Sequence, residues 1–457
     1  MQRTFDVVVI GAGPAGEVCA GRLGEAGLEV ALVERELVGG ECSYWACMPS
    51  KALLRPAEAL AEVARIPGAR EAVTGTLDVE AVLRRRDEVI HDFDDSAQLP
   101  WLEERHVTLV RGHGALDGER RVRVGDETLL ARRAVVIATG SGSALPPIPG
   151  LAEARPWTSR EVTTAKAAPG RLTILGGGVV AVEMAQAWSS LGSRVTLIQR
   201  GERLLSREEP FASELVAAAL AERGVDVRTG AHVARVDRRG KVAVVTIEGG
   251  EEILADEVVV AMGRRPHTDA LGLETVGLTP GESVEVDAAL RVPGLPWLYA
   301  IGDVNGRSLL THMGKYQGRI AADQIAGRTD RAVHPRADGL HSPRVIFTDP
   351  QVAAVGHTLE SAGSAGIDAR AVDQPTSGNA GGSFIGRGAP GTSRLVVDAA
   401  RGVLVGATFT GSEITDFLHA ATIAVVGEVP LEVLWHAVPS FPTRSEVWLR
   451  LLEEYGL

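Results

Sequence analysis

The sequence predicts an α/β protein with two Rossmann-like, doubly wound dinucleotide-binding domains and a C-terminal α+β domain. Three observations predict it. A βαβ pattern occurs twice without a gap, at Val7 to Arg35 and again at Leu172 to Arg200. Glycine supplies 53 of 457 residues with no G-x-y period, so the excess belongs to turns and close backbone approaches rather than collagen. From about Ser342 the pattern changes to short strands and turns, ending in two helical stretches.

Composition narrows the class. Hydrophobic residues at 45% and charged residues at 23% are ordinary for a globular chain, and 457 residues accommodate two to four domains. A net charge of −12 is the wrong sign for a nucleic-acid backbone or an anionic membrane surface, so neither is expected as a partner. No apolar run reaches the ~18–20 residues of a membrane span. Phe5 to Ile10 already reads as a strand entering a glycine turn, so no signal peptide is expected. Three cysteines are too few for a disulfide scaffold and fit a reducing cytoplasm. The cations are arginine except for Lys51, Lys166, Lys241 and Lys315, which reads as compositional bias.

In the first copy, Val7 to Ile10 is a β-branched strand and Gly11-x-Gly13-x-x-Gly16 the turn, followed by an amphipathic helix and a second strand. The first glycine makes the tight turn. The second lets a pyrophosphate rest on bare amides at the helix N-terminus, and the third lets helix and strand pack closely. In the second copy Gly176, Gly178 and Ala181 take these places. Glu34 ends the second strand of copy one, where a carboxylate accepts ribose hydroxyls. Copy two has uncharged Gln199 followed by Arg200, Arg203 and Arg207, which leans toward a 2′-phosphate and hence NADPH over NADH. The alternative is a pair of ligand-free glycine turns. Two dinucleotide sites on one chain imply a relay, most simply FAD in copy one and NAD(P)H in copy two.

Further strands follow the same logic. Arg133 to Gly140 is a buried strand meeting a glycine turn, and Glu257 to Arg264 echoes it in the second unit. Trp297 to Asp303 is a strand ending in a carboxylate suited to a ribityl or ribose hydroxyl, followed by a helix from about Thr311 to Ala326. The expected division is 1–150 with 276–335 for FAD, 151–275 for NAD(P), and 336–457 for the last domain.

Cys42 and Cys47 lie five apart in Gly39-Gly40-Glu41-Cys42-Ser43-Tyr44-Trp45-Ala46-Cys47-Met48-Pro49-Ser50-Lys51. No further Cys or His ligand stands near, so no metal is expected. A redox pair in a helix-starting segment just after a flavin site fits better than two inert buried thiols, because helix N-termini favour thiolate.

With these motifs the chain resembles the class I pyridine nucleotide–disulfide oxidoreductases: dihydrolipoamide dehydrogenase, glutathione reductase and mercuric reductase. The resemblance runs over GAGPAG, C-x4-C-x-P-S-K, ATG, GGGVVAVE, AIGD and a C-terminal P-T-x-S-E, essentially the whole chain. It implies electron flow from NAD(P)H through FAD and a Cys42–Cys47 disulfide to an acceptor. Cys42 would be the interchange thiol and Cys47 the flavin-side, charge-transfer thiol. Lys51 would approach the flavin with Glu183 as its carboxylate partner. The resemblance implies FAD contacts at Gly11, Gly13, Gly16, Glu34, Gly40, Lys51, Thr139, Gly140, Gly302 and Asp303. It implies NAD(P) contacts at Gly176, Gly178, Ala181, Glu183, Gln199, Arg200 and Gly263. It also implies a cytoplasmic homodimer, with the last domain as dimerisation domain and the 441–446 block facing the other subunit's thiols. His312 matches the family's A-H-K histidine or is only packing.

One departure matters. The family's base is a His in an H-P-x-x-x-E block, whereas this chain reads Phe441-Pro442-Thr443-Arg444-Ser445-Glu446. Phenylalanine neither takes nor gives a proton, and such catalysis is worth ~10²–10⁴-fold, so ordinary disulfide exchange is expected to be slow. Glu446, without its usual partner, is expected to be solvated or paired with an arginine. His436 is the nearest substitute base, with Pro439 intervening. Tyr44 and Trp45 are either a flat substrate platform or packing. The Phe-for-His change occurs in the ketopropyl-coenzyme M carboxylating reductase, a partial match. The final residues, Leu452 to Leu457, hold no cysteine pair of the mercuric or high-molecular-weight thioredoxin reductase kind. The expected function is therefore an FAD-dependent NAD(P)H oxidoreductase with an altered acid–base site. Its alternatives are a quinone or dye reductase (or transhydrogenase) acting directly at the flavin, and a non-enzymatic flavin-holding redox sensor.

Overall fold

The computed structural model describes all residues, Met1–Leu457. Contacts gather them into two compact units, one of residues 1–49, 87–144 and 263–339, the other of residues 50–86, 145–262 and 340–457.

The first unit is built on a parallel sheet. Strand Gln2–Ile10 pairs in parallel with Val30–Glu34 on one side and Glu127–Ile137 on the other. Val107–Arg111 and Leu295–Ala300 extend it outward, and Arg291–Val292 closes the edge. A parallel strand needs a crossover, and helix Pro14–Glu25 supplies it between the first two strands. The central strands read VVVI and VALV with every side chain buried, as strands covered on both faces must. Helix Thr311–Ile325 packs on Pro14–Glu25 through small residues. A Cβ on Gly314 would stand 3.2 Å from Ala15 Cβ, and one on Gly318 would stand 2.6 Å from Ala15 O.

The second unit repeats the plan on a smaller sheet, Asp226–Arg228, Arg194–Ile198, Arg171–Leu175 and Glu257–Val260, all parallel, with helix Val179–Ser190 as crossover. Trp188 anchors that helix, fully buried, its indole N–H donating to Val162 O at 3.0 Å. The same unit carries the C-terminal α+β portion, a five-stranded antiparallel sheet in the order 344–346, 351–356, 403–411, 392–398, 369–375. Phe409 on its central strand meets Phe417 and Trp448 of the covering helices with ring centroids 5.9 and 5.8 Å apart. The sequence pattern leaves out two of these strands. Gln351–Gly356 is wholly buried and small-residue-rich, and Ala369–Pro375 is an edge strand without clean alternation, so neither carries a period-two signal.

The two glycine turns are superimposable in their constraints. Gly11 has φ +105° and a Cβ there would stand 2.4 Å from Ala138 O; Gly176 has φ +120° and a Cβ would stand 2.3 Å from Ala261 O. At the third position a Cβ on Gly16 would fall 1.9 Å from Gly11 O, whereas Ala181 fits fully buried in the second copy.

Gly16→Ala should therefore destabilise the protein by at least ~2 kcal/mol through overpacking against backbone. Gly13→Ala, whose Cβ meets nothing within 4 Å, should stay within ~1 kcal/mol of wild type. Urea unfolding of both variants checks the contrast.

Candidate active site: two cradles and a dithiol

At each cradle the helix begins on a glycine, Gly13 and Gly178, in extended conformation with no side-chain cap. A Cβ on either would enter open space. Uncapped first-turn N–H groups beside an open volume are what a pyrophosphate requires, so the residues present fit dinucleotides at both places. In the first cradle Glu34 is 8% exposed and accepts the N–H groups of Ala12 (2.8 Å) and Glu36 (2.7 Å), which fixes its carboxylate at the strand end. Gly40 packs on this turn, where a Cβ would stand 2.8 Å from Gly13 Cα. In the second cradle a Cβ on Gly177 would stand 2.9 Å from the Gln199 carboxamide, so an uncharged side chain lies against the turn. Arg200 is exposed; Arg203 spends its guanidinium on the carbonyls of Ser206 and Glu208.

The remaining first-cradle residues form a hydrogen-bonded rim. Thr139 Oγ1 donates to His267 O at 2.9 Å and Gly140 O accepts His267 N–H at 3.0 Å. Asp303 lies in a 3₁₀ turn, Gly302–Asn305, rather than closing the strand, because Gly302 takes φ +75° and donates to Gln317 Oε1 at 2.8 Å. Its carboxylate accepts Ser141 Oγ at 2.6 Å, with Arg264 at 3.5 Å. Gly263, just before Arg264, has φ +137°, and a Cβ there would stand 4.0 Å from Ala144 Cβ. Arg264 was not singled out from sequence; as one arginine of many it carries no local signal.

Cys42 lies in the short helix Gly40–Tyr44, and Cys47 opens the long helix Cys47–Arg65. Both are half-buried thiols, and Cys42 hydrogen-bonds to Cys47. Cys47 Sγ lies 3.3 Å from Thr311 Oγ1, at the start of helix Thr311–Ile325. The Cys42 thiol is held above its ordinary value, first by that hydrogen bond to Cys47 and then by burial. Thr311 and the charge of Lys315 pull the other way. Cys19 is fully buried and pushed up to about 12 by desolvation, which makes it inert. Thr311 is a functional candidate that sequence reasoning missed, since only the fold brings residue 311 to residue 47.

Tyr44 is packing, not platform. Its ring is 1% exposed, 5.7 Å from Trp45 and 6.4 Å from Phe93, with Trp45 and Phe93 5.8 Å apart. Phe93 closes a run of three positive-φ residues, His91, Asp92 and Phe93, a strained turn that its ring contacts hold in place.

In the second unit Lys51 meets Glu183. The ammonium donates to Glu183 Oε2 at 2.8 Å and stands 4.7 Å from the Phe347 ring centroid, while Glu183 Oε1 accepts Phe347 N–H at 2.9 Å. Glu183 is 2% exposed, so both oxygens are committed. The C-terminal block lies in the same unit. Phe441 is 77% exposed, and His436 and Val438 beside it are exposed as well. Glu446, expected to be solvated or arginine-paired, is half-buried and pairs with no arginine. Its Oε2 is shut from solvent without a hydrogen bond, as are Nε and Nη2 of Arg444, whose guanidinium instead reaches Glu413 O and the Phe417 ring. Burial lowers the Arg444 pKa. His312 is exposed in the first turn of its helix. No group of three or more His, Cys, Asp or Glu side chains stands where it could hold a metal, and no helix is long and apolar enough to cross a membrane.

Two uncapped dinucleotide cradles on one chain, with a dithiol following the first, define a flavoprotein dithiol–disulfide oxidoreductase. Residues 5–322 match the pyridine nucleotide-disulphide oxidoreductase family, and residues 342–451 match that family's dimerisation domain. The chain belongs to this family and is an FAD-dependent, NAD(P)H-using oxidoreductase of class I. It is 32% identical to a mercuric reductase of Staphylococcus aureus, over 97% of this chain and 81% of that one. It is also 32% identical to a dihydrolipoyl dehydrogenase of Chlamydia muridarum, over 98% and 96%. Its structure is similar to that of the Cu(II) complex of the HOCl-induced flavoprotein disulfide reductase RclA from Escherichia coli. The TM-score there is 0.86 at 26% identity, covering 99% of both chains.

Replacing Glu183 with alanine should cost on the order of 2 kcal/mol, because it strands the Phe347 N–H and an ammonium that is only partly solvated. Glu183→Gln should recover part of that loss by keeping one acceptor. Urea midpoints of the two variants make the comparison.

Proposed function

We propose that this enzyme passes electrons from NADPH through the Cys42–Cys47 pair to a small acceptor, working as a homodimer whose proton-transfer site lacks its base. The observation that carries this reading is the dithiol itself, hydrogen-bonded within the pair and to the Thr311 hydroxyl beside the first cradle. FAD would be held at Gly11, Gly13, Gly16, Glu34, Thr139, Gly140, Gly302 and Asp303, and when bound would supply two-electron carrier chemistry. Cys42 is the interchange thiol and Cys47 the inner one, oriented by Thr311. With a disulfide acceptor, Cys42 attacks one sulfur and expels the other as thiolate. Cys47 then attacks Cys42, releasing the second thiolate and restoring the protein disulfide. The family match to a dimerisation domain, together with exposed Ile423, Val433, Val438 and Phe441, supports association through the helices and loops of the C-terminal portion. Phe441 would then face the partner's thiols, and no imidazole would protonate the departing thiolate. The acceptor best served is one whose leaving group is already a stable anion, since a low-pKa thiol leaves fastest without a proton.

Uncharged Gln199 and exposed Arg200 support NADPH over NADH, because a 2′-phosphate meets a cation and no carboxylate there. The first test is anaerobic reduction followed by thiol counting. NADPH should expose two additional thiols per chain, at lower concentration than NADH, and Cys42→Ser should abolish the gain. A second reading, in which the acceptor bypasses the thiols, is favoured by Phe441 alone. Full turnover of Cys42→Ser with the physiological acceptor would establish it and remove the first.

Phe441→His should raise the rate of ordinary disulfide reduction near neutral pH by ~10–10³-fold, since it returns a proton donor to the site. Steady-state kinetics with a small aliphatic disulfide measure this.

A further inference from the structure

The interchange thiol has lost the imidazolium that would balance its charge, and the first unit holds another cation. Thr311 touches Cys47, and Lys315 follows it by four residues in one helix, so the two occupy the same helical face, one turn apart. The ammonium acts electrostatically on Cys42 from there, and its side chain is exposed. Lysine is scarce in this chain, at four residues against 43 arginines, so compositional bias does not explain its presence. The first turn of helix Pro14–Glu25 meets both relevant segments, Gly40 of the thiol segment at Gly13 and Gly314 of the lysine helix at Ala15. Glu17 in that turn interacts with Lys315, with Glu34 at the neighbouring strand end, and with Tyr44 of the thiol segment, behind which stand Asp94, Asp95 and Arg111.

We propose that Lys315 is the counter-cation of the Cys42 thiolate, and that Glu17 sets how much of its charge the thiol receives. The proposal rests on the reading of Cys42 as the interchange thiol. Burial and the nearby Glu34 charge push Glu17 up to about 7 against the pull of Lys315. Below that pH Glu17 is neutral and the ammonium is uncompensated beside the thiol; above it the carboxylate takes part of the attraction. The device replaces a titrating base from a partner subunit with a permanent cation from the same chain, trimmed by a carboxylate that titrates near neutrality. Lys315 is a positioning charge rather than a proton donor: it acts on Cys42 through its charge, while the thiol's hydrogen bonds go to Cys47 and Thr311.

The test is the pH dependence of Cys42 alkylation by iodoacetamide in holoenzyme reduced with dithiothreitol and desalted, read by mass spectrometry of the Cys42 peptide. Lys315→Met should raise the apparent Cys42 pKa by about one unit and slow alkylation at pH 7 by about tenfold. Lys315→Arg should restore the wild-type profile. Glu17→Gln should shift the pKa down and remove the inflection near pH 7. A Lys315→Met profile superimposable on wild type, with flavin content intact, overturns the proposal. Because the thiols are reduced chemically, this outcome is independent of the thiol count after NADPH. If NADPH exposes no thiols while Lys315→Met still shifts the alkylation profile, the function reading fails and the electrostatic assignment stands.

Discussion

The structure depends on two places where a helix start is pressed onto a strand end until no side chain fits between them. At Gly11 and Gly176 the backbone runs at positive φ with a carbonyl 2.3–2.4 Å from where a Cβ would be. This contact holds the N-termini of helices Pro14–Glu25 and Val179–Ser190 at the carboxyl ends of their sheets, with the first-turn N–H groups unspent. Much else follows from it. The short Cys42 helix packs at Gly13, and helix Thr311–Ile325 lies on the same first turn through Gly314 and Ala15. The thiols and the Thr311 hydroxyl meet because both segments converge on one glycine-rich helix start.

Charge is handled differently in the two units. In the second, Glu183 is buried with both oxygens committed, one to Lys51 and one to the Phe347 amide. In the first, Glu17 is half-buried among Glu34, Tyr44 and Lys315 with no committed partner, and its proton affinity rises accordingly. Linkage gives the sign. A carboxyl whose folded pKa stands above its ordinary 4.5 favours the folded state while protonated. Its contribution is present below about pH 4.5 and lost as pH rises through about 7. The first unit therefore keeps a strained acid where the second keeps a satisfied one, and strained titratable groups gather at working sites.

The fold and both cradles were legible because their constraint is local. Strand, glycine turn and helix are contiguous, and Gly11 and Gly176 declare themselves by spacing. The Cys42–Cys47 block was legible for the same reason. Thr311, Arg264 and Phe347 were not, since each reaches its site from more than a hundred residues away or as one arginine among many. Tyr44 stayed ambiguous because an aromatic beside a cysteine reads alike as wall or as platform until Phe93, folded back by three positive-φ residues, fills its other side. Glu446, expected to be solvated or arginine-paired, instead starts the helix Glu446–Tyr455 half-buried, beside the buried Val447 and Leu451.

The half-buried Glu446 bears on how the chain associates. Glu446 Oε2 and two Arg444 nitrogens are shut from water without partners in a single chain, each an expensive state for a polar atom. Burial alone would have selected against them. They lie beside exposed apolar residues, Val438 and Phe441, within the segment that matches a dimerisation domain. A surface that combines unsatisfied buried polar atoms with exposed apolar side chains is unfinished by itself, and a second copy of the chain is the partner that completes it.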